Sequence, residues 1–181
     1  MLLDLNENEL SKKKCVFLDR DGVLNKDFVD YAYSLDKFHI IEGVAEALKI
    51  LKQKGYLLIV ITNQSGIAKG IYTREDMQIC HDYLQKETGY LIDHIYYSPH
   101  HPNFSESLTR KPGSLMFEKA IAKYDVDISQ SWMVGDKLRD IQPAIKMGLK
   151  TIQVDGHDDE IADHVVPDLI SAAKYLISIE D

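Results

Sequence analysis

Residues 15–19 (CVFLD), 56–62 (YLLIVIT) and 132–136 (WMVGD) are apolar at consecutive positions rather than at alternate ones. A strand with one face in water alternates apolar and polar residues, whereas a strand covered on both faces has no polar face to keep. Runs of this kind require a sheet with helices packed on each side, and the chain supplies those helices between the runs. Val44, Ala47, Leu48 and Leu51 recur at helical spacing, and Gly55 is placed to end that helix. Thr73 with Asp76 forms a capping box that opens a second helix, running to about Lys86. Segments 94–98 (HIYYS) and 151–155 (TIQVD) read as further strands, and the valine pair at 165–166 as a short sixth. Ser114 is placed to cap a helix with an apolar face of Leu115, Ala120, Ile121 and Tyr124. A shorter helix runs to about Lys146 before Gly148, and a last one carries Leu169, Ala172, Ala173 and Leu176. Strands alternating with helices predict an α/β fold, a doubly wound parallel sheet with right-handed crossovers. Residues 1–12 read as a flexible N-terminal segment, and the whole chain, 1–181, as a single domain without repeats or linkers.

Composition narrows the class. The 181 residues suffice for one sizeable core. The net charge of −8 weighs against nucleic acid, whose binding usually needs a basic face. Two cysteines, Cys15 and Cys80, make no secreted disulfide framework. The N-terminus is not a secretory signal, and no apolar run approaches the roughly 20 residues that span a membrane. The expectation is a cytoplasmic monomer acting on a small molecule, with no nucleic acid and no membrane.

In a doubly wound sheet, ligands bind beyond the carboxyl ends of the strands. The first strand ends in Asp19 and Asp21, the second in Thr62, Asn63, Gln64, Ser65 and Gly66. Arg110 and Lys111 follow the third, and Gly135, Asp136, Lys137 and Asp140 the fourth. Residues i and i+2 of an extended segment face one way, so Asp19 and Asp21 can address one substrate, with Gly22 turning the chain behind them. With Asp136 opposite, their oxygens suit Mg²⁺, which prefers a few carboxylates together with water and phosphate oxygens. Cations on the other side would neutralise a phosphate. The group reads as a phosphoryl-transfer site with a carboxylate nucleophile. Plain structural uses stay open for individual members: Asn63 in a turn, Lys137 solvated, Asp140 capping a helix. Gly43 and Gly55 read as helix punctuation, Trp132 and Tyr96 as core, and His39, His81 and His157 as isolated histidines without a function.

DRDGVLN (19–25), TNQSG (62–66), the Lys-Pro pair at 111–112 and GDKLRD (135–140) resemble, in order and spacing, the four signature motifs of the haloacid dehalogenase (HAD) superfamily of phosphatases. Within it, TNQSGIAKGIYTRED is most similar to the heptose-bisphosphate phosphatase branch; the sister histidinol-phosphate phosphatases more often carry Asp where Ser65 stands. The resemblance implies a Rossmann-like HAD core with Mg²⁺ as cofactor. It implies Asp19 as nucleophile and metal ligand. Asp21 becomes general acid and base, with its main-chain carbonyl on the metal, and Asp136 completes the metal site. Thr62 and Asn63 would bind the transferring phosphoryl oxygens, Lys111 would stabilise charge, Arg110 and Lys137 would hold substrate, and Asp140 would orient Lys137 or metal-bound water. Spans 22–61 and 64–110 leave no room for a cap domain, so the resemblance is to a capless member whose site is shielded by loops near 26–40, 64–73 and 99–113. The implied reaction is removal of the C7 phosphate of a heptose 1,7-bisphosphate; the alternatives are histidinol phosphate, a polynucleotide 3′-phosphate, or phosphate binding without catalysis.

One departure carries a prediction. Many members of this family clamp the loop before the catalytic lysine with a structural zinc, held by Cys-x-His and then Cys-x-Cys. Here the segment reads YYSPHHPNFSESLTRKP, with Ser98, His100, Ser107 and Thr109 at those places. Neutral hydroxyls are poor zinc ligands. The loop is instead expected to be held by its prolines and by hydrogen bonds from Ser98, Ser107 and Thr109. Metal analysis of protein purified without chelator is expected to find no stoichiometric zinc, and chelator-treated enzyme to recover with Mg²⁺ alone; activity returning only with zinc would refute this.

Overall fold

The computed structural model describes residues 12–156 and 161–179. Most of the segment expected to be flexible, and His157, lie outside the described residues. Six strands form one sheet: β1 (Cys15–Leu18), β2 (Leu57–Asn63), β3 (His94–Ser98), β4 (Trp132–Gly135), β5 (Lys150–Val154) and β6 (His164–Val166). Their order is β3-β2-β1-β4-β5-β6, and every pairing is parallel.

The uninterrupted apolar runs are explained by two cores, one on each face. Alternate residues of one strand go to opposite layers. Val16 and Leu18 of β1, Leu58 and Val60 of β2 and Val134 of β4 join α1 (Val44–Gln53), α2 (Arg74–Glu87) and α5 (Leu169–Ser178) in one cluster. Cys15, Phe17, Ile59, Ile61 and Met133 point the other way, against α3 (Leu115–Tyr124) and α4 (Leu138–Lys146). There Phe17 meets Phe117 edge to face, with ring centroids 5.3 Å apart.

Helix ends follow the sequence with one difference. The Thr73–Asp76 capping box is formed in both directions, and Gly55 follows α1 in the left-handed region. Ser114 stands before α3, but its hydroxyl caps no backbone N–H and instead donates to Glu118. Ser114 has helical backbone angles, φ −93° and ψ −10°, rather than the extended ones that aim a capping oxygen at the first-turn N–H groups, so the sequence signal found the position and not the bond.

The strand order places the site. From β1 the chain moves outward through β2 and β3, then returns to the other side of β1 for β4, β5 and β6. The β1–β4 boundary is where the winding reverses, and the crevice beyond its carboxyl end is the natural ligand site of such a sheet. Between β1 and α1, and between β3 and α3, the described residues form no helix and no strand beyond isolated bridges such as Asn25–Ile40. Loops alone surround the crevice. No helix among the described residues is long and apolar enough to cross a membrane.

Candidate active site

Asp19 leaves β1 with its N–H bonded to the carbonyl of Val134 at 3.0 Å, so its carboxylate sits at the β1–β4 boundary. Asp136 leaves β4, and Asp140 lies in the first turn of α4. Oxygens of these three carboxylates lie within 4.8 Å of one another. Lys111 reaches them from the loop after β3. Its Nζ stands 2.8 Å from Asp19 Oδ1 and 2.7 Å from Asp140 Oδ1, and it donates to the Ile61 carbonyl at 2.6 Å. The lysine side chain is wholly buried. Burial, then the Asp140 carboxylate, pushes the Asp19 carboxyl up to about 7 against the pull of Lys111. Burial and Asp140 likewise push Asp136 up to about 6. Burial alone would lower the Lys111 pKa, but Asp140 and Asp19 outweigh it and hold the ammonium charged.

The cluster has the donor set of a hard-cation site. Lys111 and Lys137, the latter 3.3 Å from Asp136 Oδ2 and shared with Asp27, do not balance three carboxylates, and the buried Oδ1 of Asp136 has no hydrogen-bond partner. All available donors are oxygens, as Mg²⁺ requires. Gly22 is needed for this geometry: its φ is +90°, and a Cβ there would stand 2.3 Å from Asp136 Oδ2. The glycine of the D-x-D-G motif thus lets Asp136 close against the first strand.

Asp21 does not join that cluster through its carboxylate, although Asp19 and Asp21 are two residues apart. Its Oδ1 accepts from Arg20 Nη2 at 2.8 Å and from Asn25 Nδ2 at 2.9 Å, and its Oδ2 from Gln64 Nε2 at 3.0 Å. Burial by itself raises its pKa; Arg20, with the bonds from Arg20, Asn25 and Gln64, overcomes this and holds the carboxyl below its ordinary value. The third carboxylate of the cluster is Asp140. Its Oδ2 accepts the N–H of Lys137, the half of a helix cap that orients Lys137, while its Oδ1 faces Lys111.

Thr62 and Asn63 close the end of β2. Asn63 clasps the Lys111 peptide from both sides, its Nδ2 donating to the Lys111 carbonyl and its Oδ1 accepting the Lys111 N–H, each at 3.0 Å. Its side chain is therefore committed, leaving main-chain contact as its route to a ligand. Arg110 donates to the His100 carbonyl at 3.1 Å, and Lys137 is ion-paired with Asp27. The hydroxyls of loop 99–113 bond as expected, Ser98 to Thr109 at 3.0 Å and Ser107 to Thr109 at 2.7 Å. His100 turns to Ser105, with Nδ1 and Oγ 3.0 Å apart.

Above these groups lies a cavity of about 300 Å³ whose wall includes Arg20, Asn63, Lys69, Arg110, Lys137 and Arg139. The carboxylates in that wall are Asp21 and Asp27, each already paired with a cation. Crowding shows in Arg110, whose pKa is lowered by burial and then by Arg139. A net-acidic chain has concentrated positive charge where a phosphorylated ligand would enter. The arrangement offers a carboxylate nucleophile, a cation cradle beneath it and a separate carboxyl group for proton transfer.

Sequence reasoning missed Arg20 and misjudged His81. Arg20, between the two aspartates, folds onto Asp21 and is 1% exposed. Its Nη2 also donates to the Ala32 carbonyl at 3.1 Å, and its Nη1 lies 3.3 Å from Nε2 of buried His81. An arginine can only donate, so His81 Nε2 accepts and the ring is neutral. Burial, then Arg20, lowers the His81 pKa to about 3. An unfolded histidine titrates near 6.5, so between about 3 and 6.5 the unfolded chain binds the extra proton and stability falls as pH falls. Relative to His81→Gln, the wild type is expected to lose stability at roughly 1.4 kcal/mol per pH unit below pH 6.5. Denaturant unfolding at stepped pH checks this; parallel curves for the two proteins would refute it.

The comparisons with known proteins agree with this geometry. The HAD-hydrolase-like family model matches residues 108–172. A D-glycero-beta-D-manno-heptose-1,7-bisphosphate 7-phosphatase of Haemophilus ducreyi is 40% identical over 180 residues, covering 91% of this chain and 98% of that protein. A D-glycero-D-manno-heptose-1,7-bisphosphate 7-phosphatase of Chlorobaculum tepidum is 38% identical over 191 residues, covering 93% and 96%. The crystal structure of the D,D-heptose 1,7-bisphosphate phosphatase of B. bronchiseptica, complexed with magnesium and phosphate, superposes with a TM-score of 0.84 at 30% identity, over 92% of this chain and 99% of that one. Sheet order, converging carboxylates and relatives of nearly equal length lead to one conclusion: the chain belongs to the heptose-1,7-bisphosphate 7-phosphatase family of HAD-like hydrolases.

Proposed function

We propose that this protein is a Mg²⁺-dependent phosphatase that removes the C7 phosphate of D-glycero-D-manno-heptose 1,7-bisphosphate through an aspartyl-phosphate on Asp19. The observation that carries the substrate reading is the set of cations lining the cavity outside the Asp19 cluster. Lys111 already serves the nucleophile, so Lys69 and Arg110 are available for a second anionic group on the same molecule. A bisphosphate supplies one. Histidinol phosphate would bring an ammonium group to a wall rich in cations and is disfavoured.

The chemistry follows from the placement. Asp19 and Asp136, with the main-chain carbonyl of Asp21, would hold Mg²⁺, which supplies the charge neutralisation that lets a carboxylate approach an anionic phosphoryl group. Asp19 attacks phosphorus, and the bond from phosphorus to the C7 oxygen breaks. Asp21 donates a proton to that oxygen, then takes one from the water that hydrolyses the acyl phosphate. Arriving phosphate charge opposes the hold of Arg20 and favours the protonated form of Asp21 that the first step uses. Lys111 offsets charge on Asp19 throughout, and Thr62 with the Asn63 main chain receives the phosphoryl oxygens. The same reading has the protein working as a cytoplasmic monomer of one domain, without nucleic acid or a membrane.

Phosphate release from a panel of esters, with and without Mg²⁺, tests the assignment. The heptose bisphosphate is expected to give the highest kcat/KM and to keep its C1 phosphate, and Asp19→Asn to leave only background turnover. Lys69→Ala and Arg110→Ala are each expected to raise KM for the bisphosphate about 10-fold to 100-fold, the worth of one charged hydrogen bond, with far less effect on a heptose 7-monophosphate. A higher kcat/KM for histidinol phosphate would overturn the substrate while leaving the mechanism standing.

A further inference from the structure

Gln64 is 2% exposed and makes three side-chain hydrogen bonds beside the reacting groups. Its Nε2 donates to Asp21 Oδ2 at 3.0 Å and to Thr62 Oγ1 at 2.9 Å, and its Oε1 accepts from the Tyr72 hydroxyl at 2.7 Å. Its own N–H is fixed on the Ser98 carbonyl at 2.7 Å. The direction of every one of these bonds follows from what each group can do. An ionised Asp21 only accepts, so the amide must present NH₂ to it. The reversed amide would set a carbonyl oxygen against a carboxylate. Oε1 therefore faces Tyr72, whose hydroxyl has to donate.

Both amide hydrogens are then assigned, one to Asp21 and one to Thr62. Thr62 Oγ1 is an acceptor in that bond, and its single hydrogen is left over. Among the described residues no protein acceptor takes it. At the carboxyl end of β2, beside the Asp19 cluster, the group to receive it is the transferring phosphoryl.

Tyr72 is itself tightly located. It stacks on Tyr33 with ring centroids 5.2 Å apart and planes 7° from parallel, and meets Tyr31 edge to face at 5.8 Å. A Cβ on Gly66 would stand 2.1 Å from its ring, so only glycine lets the ring lie there. The aromatic cluster of loop 26–40 thus fixes Tyr72, Tyr72 fixes the amide, and the amide fixes two groups of the site.

We propose that Gln64 is a positioning residue that sets two hydrogens together: it holds the Asp21 carboxyl toward the leaving oxygen and makes the Thr62 hydroxyl an obligate donor to the phosphoryl group. The inference rests on the phosphatase reading above, with Asp21 as acid. The two roles separate by leaving group. A sugar oxygen needs a proton as it departs and an aryl oxygen does not, so loss of Asp21 positioning is felt by the first alone. Loss of the Thr62 donor is felt by both.

The test compares Gln64→Met, which keeps length and removes all three bonds, on heptose 1,7-bisphosphate and on 4-nitrophenyl phosphate, with Mg²⁺ present and another alkyl phosphate used should the heptose assignment fail. The sugar substrate is expected to lose about 30-fold to 300-fold in kcat with KM nearly unchanged, within the usual range for proton-transfer catalysis. The aryl substrate is expected to lose about 10-fold or less, the smaller share belonging to the Thr62 donor. In a Thr62→Val background that aryl loss should disappear. Tyr72→Phe, which keeps the stacked ring, should show the same leaving-group pattern at smaller size, and decides the matter if Gln64→Met does not fold. Equal losses on the two leaving groups, or additivity with Thr62→Val, would overturn the proposal. A wild type inactive on every ester would instead overturn the phosphatase reading on which it rests.

Discussion

The buried ammonium of Lys111 is the interaction on which the site is built. Three carboxylates within 4.8 Å of one another, taken out of water, repel strongly. Lys111 stands between Asp19 and Asp140, and Lys137, 3.3 Å from Asp136 Oδ2, is shared with Asp27, so the cluster stays net negative and suits a divalent cation. Lys111 is also costly to bury, and it is tolerable only because two carboxylates stand against its charge and the Ile61 carbonyl accepts from it. Asn63 holds its peptide from both sides, Asp140 is presented by the first turn of α4, and Asp19 is tied to β4 through Val134. Three chain segments meet at the point where the sheet reverses its winding because that is where these charges have to meet.

Separate support for the two aspartates of the D-x-D pair follows from the same electrostatics. Asp19 lies in the acidic cluster, where its carboxyl is pushed up to about 7. Asp21 is turned aside to Arg20, Asn25 and Gln64, which hold it low. Two carboxylates two residues apart thus have opposite environments, Asp19 raised and Asp21 lowered; on the proposed roles a divalent cation on Asp19 and a phosphate beside Asp21 would have to reverse both. Arg20 makes the difference, and His81 accepts from its far side.

Legibility in the sequence followed the range of each interaction. Strands and their burial on both faces could be read from CVFL and LLIVIT, because period-2 packing against two layers leaves a local signature. Asp19, Thr62, Lys111 and Asp136 could be placed because a parallel sheet puts strand ends together. The Thr73 cap was legible because its bonds are local. Arg20 was not, since nothing local distinguishes an arginine that crosses to Ala32 and His81 from one in solvent. Asp140 looked like a helix cap, which it is, and its second use depends on a lysine 29 positions earlier in the chain. Net charge carries less information about the site. It describes the whole surface, while ligand entry is governed by the cations around one cavity.

Loop 99–113 is tied by hydroxyl hydrogen bonds among its own residues and to the end of β3. It contains no cysteine. Ser98 at the end of β3 joins Thr109, and Thr109 joins Ser107, so the return of the loop is tied to the strand it left. One residue beyond Arg110, the Asn63 clasp fixes Lys111 to the end of β2. These anchors are unequal in consequence. Lys111 is held by its peptide, two carboxylates and a buried carbonyl, so softness elsewhere in the loop does not reach the nucleophile. Arg110 stands between the anchors and donates to the carbonyl of His100, within the loop itself. On the proposed roles, a shift of the loop would alter the grip of Arg110 on the substrate before it altered the groups around Asp19. On those roles the tighter anchoring falls on the group beside the nucleophile and the looser on the group that would hold the rest of the substrate.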